Sequence, residues 1–376
     1  MTDQVHHGLE GVLAGESAIC DVNHVGGGLE YRGYAISDLA ENASFEEVAF
    51  LLLVGVLPNQ THLASFKETL FHSRFVPEHL IDFLKNVPRE INRMDALRTA
   101  VSILGMEDAD ADKNDHDANL RKAIRLTAQM PALLGALRGK KQVFPSDISA
   151  CEGHAEYLLK LLCDDSVDER GVRALEVALI LYAEHEFNAS TFAARVTASS
   201  LSDMHSAVVS GIGTLKGPLH GGANEAVMDM LFEVDRVGDV EKYLFEKFAK
   251  KERIMGFGHR VLKKGDARSE IIQSYSKALG EQKGEKKWYD YAIQIEKIMR
   301  EEKGFYPNLD FYSASVFYLL NLPVPLYTPL FVCSRVTGWA AHVIEQHDQN
   351  RLIRPRCQYT GEKGLSFVPL SERESV

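Results

Sequence analysis

The chain has little of what several large protein classes require. Its five cysteines (Cys20, Cys151, Cys163, Cys333, Cys357) are odd in number, widely spaced and form no CxxC pair. That argues against a disulfide framework and for free thiols in a reducing compartment. The longest apolar run, residues 48–57, is far shorter than the roughly 18 residues a membrane span needs, so no membrane partner is expected. The opening MTDQVHHGLEG has no basic n-region and no apolar h-region, so no signal peptide is expected and a cytoplasmic location is. HExxH and a Walker A lysine loop are both missing. His342 and His347 stand five apart, off one helical face, so no metal site is expected. GIGTLKG, residues 211–217, spaces its glycines as GxGxxxG with no strand before it, which fails the dinucleotide fingerprint. Lysine and arginine number 42 against 53 acidic residues, a net charge of −11 with no long basic block. Nucleic acid is therefore not an expected partner.

The residues that are present suit a globular enzyme. Of the 376 residues 45% are hydrophobic and 25% charged, enough for a sizeable core. Length suggests two or three domains, or a large one with a smaller insert, and no Pro/Ser-rich linker separates them. After a Gly-rich start, NHVGGGLEYRGYAI, read as turns and short strands, helical periodicity dominates and the class is mainly α. SFEEVAFLLLVGVLP opens with the capping-box pair Ser44 and Glu47 and is expected to stop at Pro58. DALRTAVSILG is expected to stop at Gly105. ALEVALILYAEHEFNASTFAARVTAS reads as one long buried central helix, and WYDYAIQIEKIMREE and RVTGWAAHVIEQHDQN as amphipathic helices. GMEDADADKNDHDAN, residues 105–119, reads as a solvated loop; it lacks the Gly and Glu of a calcium loop.

Four stretches carry candidate chemistry. In LKGPLHGGANEAV, His220 sits between a proline turn and two glycines, and apolar positions at helix spacing come next. A histidine just before a helix N-terminus is held neutral by the macrodipole and can donate to an oxygen that gains negative charge. The bland alternative is a histidine that merely completes a turn. IMGFGHRVLKKGDARSE places His259 after another glycine pair, among Arg260, Lys263, Lys264 and Arg268, a cluster suited to an anionic ligand. YPNLDFYSASV puts Asp310 before an apolar helix, where alone it reads as an N-cap. Arg335, Arg351, Arg354 and Arg356 crowd the last motif; such residues are usually surface charge, but their planar forks also suit a dicarboxylate. A carboxylate base, two histidine donors and several arginines fit carbon–carbon bond formation at a carbonyl.

KGPLHGGANEAV, IMGFGHRV, PNLDFYSASV and RVTGWAAHVIEQHDQNRLIRPR together resemble the citrate synthase family, in its short form that includes 2-methylcitrate synthases. The resemblance covers nearly the whole chain. It implies a multi-helical homodimer with a large domain, residues 1–220 and 322–376, and a small mobile domain, residues 221–321. It implies oxaloacetate and an acyl-CoA as substrates, with coenzyme A as co-substrate, no tightly bound cofactor and no metal. Carried over by motif, His220 stabilises the enol of the thioester, Asp310 removes its α-proton and His259 polarises the oxaloacetate carbonyl. His185, Arg268, Arg335 and Arg354 hold oxaloacetate, Arg354 from the partner subunit. Ile254, Met255, Gly256, Phe257 and Gly258 receive the adenine of coenzyme A, and Lys264 and Arg74 contact it elsewhere. Tyr182 and Leu309 resemble the 2-methylcitrate branch, where citrate-specific relatives commonly carry valine at the second position. The resemblance therefore points to propionyl-CoA condensation, with acetyl-CoA and citrate as the alternative. Leu262 and Ala267 stand where relatives often show tyrosine and proline, and neither is a proposed catalytic group.

Overall fold

A computed structural model describes residues 5–22, 28–140, 153–164, 168–258 and 265–373. The N-terminal segment forms an antiparallel sheet of β1 (Cys20–Val22), β2 (Leu29–Tyr31) and β3 (Tyr34–Ala35), with Cys20 opposite Tyr31. The helices begin with α1 (Ile36–Asn42), α2 (Phe45–Val54), α3 (Gln60–His72), α4 (Glu78–Lys85), α5 (Arg93–Glu107) and α6 (His116–Arg138). Next come α7 (His154–Leu162), α8 (Glu169–Tyr182), α9 (Ala189–Ser199), α10 (Met204–Leu215) and α11 (Ala223–Val237). The chain ends with α12 (Val240–Ala249), α13 (Ala267–Lys283), α14 (Lys287–Lys303), α15 (Leu309–Leu319), α16 (Tyr327–Asp348) and an exposed tail. The mainly α class is as the sequence implies. No helix among the described residues is long and apolar enough to cross a membrane.

Local signals account for many helix ends. Ser44 and Glu47 form the reciprocal capping box of α2, but the helix stops at Gly55, whose φ of 96° is left-handed, three residues before Pro58. α5 runs past Gly105 to Glu107. That glycine is a packing residue: a Cβ there would lie 2.7 Å from the Cβ of His205. α14 buries Trp288, Ala292, Ile295 and Met299, the amphipathic stripe its sequence shows. Residues 108–115 are the loop within the acidic stretch, yet Asp108 is not solvated. It pairs with Arg125 at 2.5 Å and lies 3.5 Å from His205.

Two helices differ from their sequence patterns in a way that matters for the site. α16 is not a surface amphipathic helix: every residue from Tyr327 to Ile344 is buried, and it packs on α2, α6, α8, α9 and α10. Its polar stripe (Ser334, Arg335, Trp339, His342) faces protein rather than water. Ser334 Oγ bonds Leu179 O, Arg335 Nε donates to Tyr182 O at 2.7 Å, and His342 meets Glu184 at 3.0 Å. The stretch read as one long central helix is two, α8 and α9, broken at residues 183–188. The polar stripe of α16 lies against that break.

Candidate active site

The break between α8 and α9 is the hub of the site. It carries Glu184 and His185, both buried, and Glu186 in a left-handed conformation with φ of 56°, a cost that persists only where surroundings over-determine the backbone. Asn188 caps α9 by accepting from Thr191 N–H at 3.1 Å, and its amide reaches the carbonyls of His185 and Glu186, both at 3.4 Å. Glu184, fully buried, packs on Gly338 of α16. No groups of three or more His, Cys, Asp or Glu are placed to hold a metal among the described residues. His342 and His347 do not converge: His342 meets Glu184, and His347 meets Asn119 at 2.9 Å.

His220 occupies the turn between α10 and α11. Gly221 N–H donates to Leu215 O at 2.9 Å, and a Cβ on Gly221 would sit 2.2 Å from that oxygen, so only glycine fits. Gly222 then caps α11 with φ of 76°. The first turn of α9, not that of α11, touches the ring. Ser190 N–H donates to His220 Nε2 at 3.2 Å, and Ser190 Oγ lies 2.7 Å from the same nitrogen. A backbone amide can only donate, so Nε2 carries the lone pair and the ring proton sits on Nδ1. Burial, with Arg335 adding to it, lowers the His220 pKa to about 4. The ring is thus neutral, as its sequence context suggests, and burial, the Arg335 guanidinium and an orphan donor of α9 favour that state. Ser190 is itself held, accepting from Trp339 Nε1–H at 3.1 Å and bonding Asn188 Oδ1 at 2.8 Å.

Asp310 is the second residue of α15. The N-cap is Asn308, whose side chain accepts from Asp310 N–H at 3.1 Å, so the capping role that Asp310 invites in isolation belongs to its neighbour. Its carboxyl is left for another partner: Tyr182 Oη donates to Oδ1 at 2.6 Å and lies 2.6 Å from Ser313 Oγ. Burial raises the Asp310 pKa above the usual carboxylate value, against the opposing pull of the Tyr182 bond and of Arg268. Tyr182, expected only to shape an acyl pocket, therefore touches the carboxylate itself. The approach to α15 is fixed by residues 254–258. Asn308 N–H donates to Gly256 O at 2.9 Å, Gly258 N–H to Tyr306 O at 3.0 Å, and Phe257 pairs with Pro307. Gly256 has φ of 80°, and a Cβ there would meet Phe311 and Val227 at 2.8 Å.

The remaining expected residues separate into two groups. Arg335 is buried, stacks on Phe331 at 4.7 Å, and acts electrostatically on both His220 and Asp310. Arg268 is buried and makes a two-point contact with Asp266, Nε at 2.9 Å and Nη2 at 2.8 Å; Asp266 carried no signal of its own in the sequence although it stands two residues away. Leu309, buried, precedes Asp310, while Ile254, Met255 and Phe257 are half-buried. Arg74 is buried with its guanidinium 3.9 Å from the Tyr157 ring of α7. Arg354 is exposed on the tail after α16. His259 and Lys264 lie outside the described residues. Ser190 and Trp339, which the geometry adds, carried no local signal beyond the Asn-Ala-Ser start of α9. The glycines of GIGTLKG have a packing role at Gly211, where a Cβ would sit 3.0 Å from the Trp339 ring.

Known proteins are similar to this chain in sequence and in fold. The family model described as citrate synthase, C-terminal domain, matches residues 8–356. Citrate synthase 2 of Bacillus subtilis is 48% identical over 368 residues, covering 97% of this chain and 98% of that protein. The 2-methylcitrate synthase of Shewanella oneidensis is 41% identical over 374 residues, covering 97% of each. Among solved structures, the citrate synthase of Thermoplasma acidophilum in a ternary complex with carboxymethyl coenzyme A and oxaloacetate matches with a TM-score of 0.92. It is 34% identical and covers 99% of this chain and 100% of that one.

Proposed function

The chain belongs to the citrate synthase family, whose named members are acyltransferases, and from that premise we propose that it condenses propionyl-CoA with oxaloacetate to give 2-methylcitrate. Acetyl-CoA is accepted beside it. The observation that carries the reading is the pair formed by a raised-pKa carboxylate, Asp310, under a phenol donor and a histidine, His220, whose Nδ1 holds the ring proton.

In the mechanism this supports, the Asp310 carboxylate takes the α-proton of the thioester while His220 Nδ1–H donates to its carbonyl oxygen as negative charge develops there. The enol carbon then attacks the keto carbon of oxaloacetate. His259, assigned by its motif alone, gives the new alkoxide its proton, and water cleaves the thioester to release coenzyme A. His185, Arg268 and Arg335 bind oxaloacetate, with Arg354 supplied by the partner subunit of a homodimer. The exposed apolar residues of the tail, Leu365, Phe367 and Leu370, support a surface that a second copy covers. Residues 221–321 act as the smaller domain that closes on the substrates; α11 packs on α12, α14 and α15 within it, which supports that division.

Tyr182 and Leu309 support propionyl-CoA, because a single methyl is discriminated by the shape of the apolar wall beside the base at about 1–3 kcal/mol. The second reading, citrate formation from acetyl-CoA, is favoured by the names of several relatives, Bacillus subtilis citrate synthase 2 among them. A thiol-release assay with oxaloacetate and acetyl-, propionyl- or butyryl-CoA decides between them by kcat/KM. The expected order puts propionyl-CoA first, and a clear preference for acetyl-CoA replaces 2-methylcitrate by citrate as product.

A further inference from the structure

α8 ends where its own sequence gives it no reason to. ALILYAEHEF contains no Gly, Pro or Asn, and its apolar pattern invites continuation, yet the helix stops at Tyr182. In an uninterrupted helix the N–H of Glu184 would donate to the carbonyl of Ile180, four residues back. Instead a side chain stands between them. Tyr31 Oη accepts from Glu184 N–H at 3.1 Å and lies 3.1 Å from Ile180 O and 3.0 Å from Glu184 O, within donating distance of both. A hydroxyl can accept and donate at once, so Tyr31 Oη takes the Glu184 N–H and shares its one proton between the Ile180 and Glu184 carbonyls, while Ala183 N–H reaches Ile180 O at 3.3 Å in a tightened last turn.

Tyr31 is placed to do this from a fixed base. It is fully buried, pairs with Cys20 across β1 and β2, and precedes a tight turn in which Arg32 and Gly33 both have positive φ. Arg32 N–H donates to Ile19 O at 2.9 Å, and the Arg32 guanidinium reaches Leu52 O of α2 at 2.9 Å, so the residue after the tyrosine is tied to two neighbouring segments. The interruption is flanked by the site itself: Tyr182 on Asp310 before it, His185 within the turn, and Ser190 on His220 after it.

We propose that Tyr31 is a positioning residue of the active site: its hydroxyl, inserted between Glu184 N–H and Ile180 C=O, breaks the helix and sets the turn that orients both the base and the histidine donor. The consequence for turnover rests on the function proposed above; the structural insertion does not. Tyr31→Phe keeps the ring and its burial and removes only the hydroxyl. In the full-length variant, amide exchange at residues 183–188 is expected to accelerate about tenfold or more, with α6 and α16 unchanged. kcat for thiol release falls about tenfold to a hundredfold, as misplaced catalytic groups do. KM for acyl-CoA stays within about twofold, and the acid limb of the pH profile moves upward as the Tyr182–Asp310 bond loosens. Tyr243→Phe, which removes a 2.6 Å bond from α12 to Glu233 of α11, is the control and leaves kcat and the exchange of the turn unchanged. The proposal is overturned if Tyr31→Phe leaves exchange at 183–188 as it was, or if exchange accelerates equally along the whole chain. Normal kcat with faster exchange in the turn also overturns the positioning role. Should the unaltered protein release no thiol from either acyl-CoA, the functional reading falls while the exchange comparison still decides the insertion.

Discussion

At the scale of single residues, Asp310 and Tyr182 concentrate the proposed chemistry. Burial raises the Asp310 pKa, so the folded state holds that proton more tightly than the unfolded chain does. The stabilisation is present below the unfolded carboxylate pKa and is lost as pH rises through the folded one, and above that the buried carboxylate is a cost. Asp310→Asn is therefore expected to melt at a higher temperature than the unaltered protein at pH 7 while losing most thiol release. A variant that keeps near-normal turnover removes Asp310 from the role of base. Tyr182→Phe removes a hydrogen bond to a charged group, worth about 1.5–3 kcal/mol. Because that bond holds the carboxyl pKa down, its loss moves the acid limb of kcat/KM to higher pH and lowers kcat roughly tenfold or more. An unshifted limb in a pH-rate series contradicts the pairing.

At the scale of elements, sequence pattern and structure part company at α8, α9 and α16. Capping boxes and apolar stripes are local, so the starts of α2 and α11 and the buried face of α14 were legible from their own residues, whereas the glycine stop of α2 was not. The α8–α9 break was not, because its cause is the Tyr31 hydroxyl, separated from Glu184 by 153 positions. The stripe of α16 was visible as polar, but a pattern does not say whether it faces water or a buried turn. Close packing there gives a direct test. A Cβ at Gly338 would lie 2.2 Å from Glu184 Oε2 and 2.3 Å from Ala183 O. Gly338→Ala, an overpacking change against backbone, is expected to cost about 3 kcal/mol in denaturant unfolding and to lower kcat with it. A stability change within the error of the measurement shows that the turn can yield.

At the scale of the whole molecule, two predictions concern assembly and acid. If Arg354 serves the partner's site, mixing and refolding Arg354→Ala with Asp310→Asn, each inactive alone, restores about a quarter of normal activity. Half the dimers are then mixed, and each has one intact site. No recovery means that Arg354 works within its own subunit. His154, buried in α7 against Phe45, has its pKa lowered to about 3 by burial and then by Arg74. The unfolded chain therefore takes up this proton first, and stability is lost as pH falls from about 6.5 toward 3, on the order of 5 kcal/mol in full. His154→Phe should flatten the fall in unfolding free energy across that window.

The sequence by itself determined the mainly helical class, the capped start of α2, and the motifs carrying His220, Asp310, Arg268 and Arg335, because these depend on residues close along the chain. Only the tertiary structure decided which nitrogen of His220 keeps its proton, that Tyr182 holds Asp310, and that one tyrosine from a short strand divides a long apolar helix. Those outcomes depend on hydrogen-bond partners 30, 128 and 153 residues apart, a proximity that no local pattern encodes. His220 and Asp310, to which we assign the chemistry, thus owe their orientation to residues outside their own motifs.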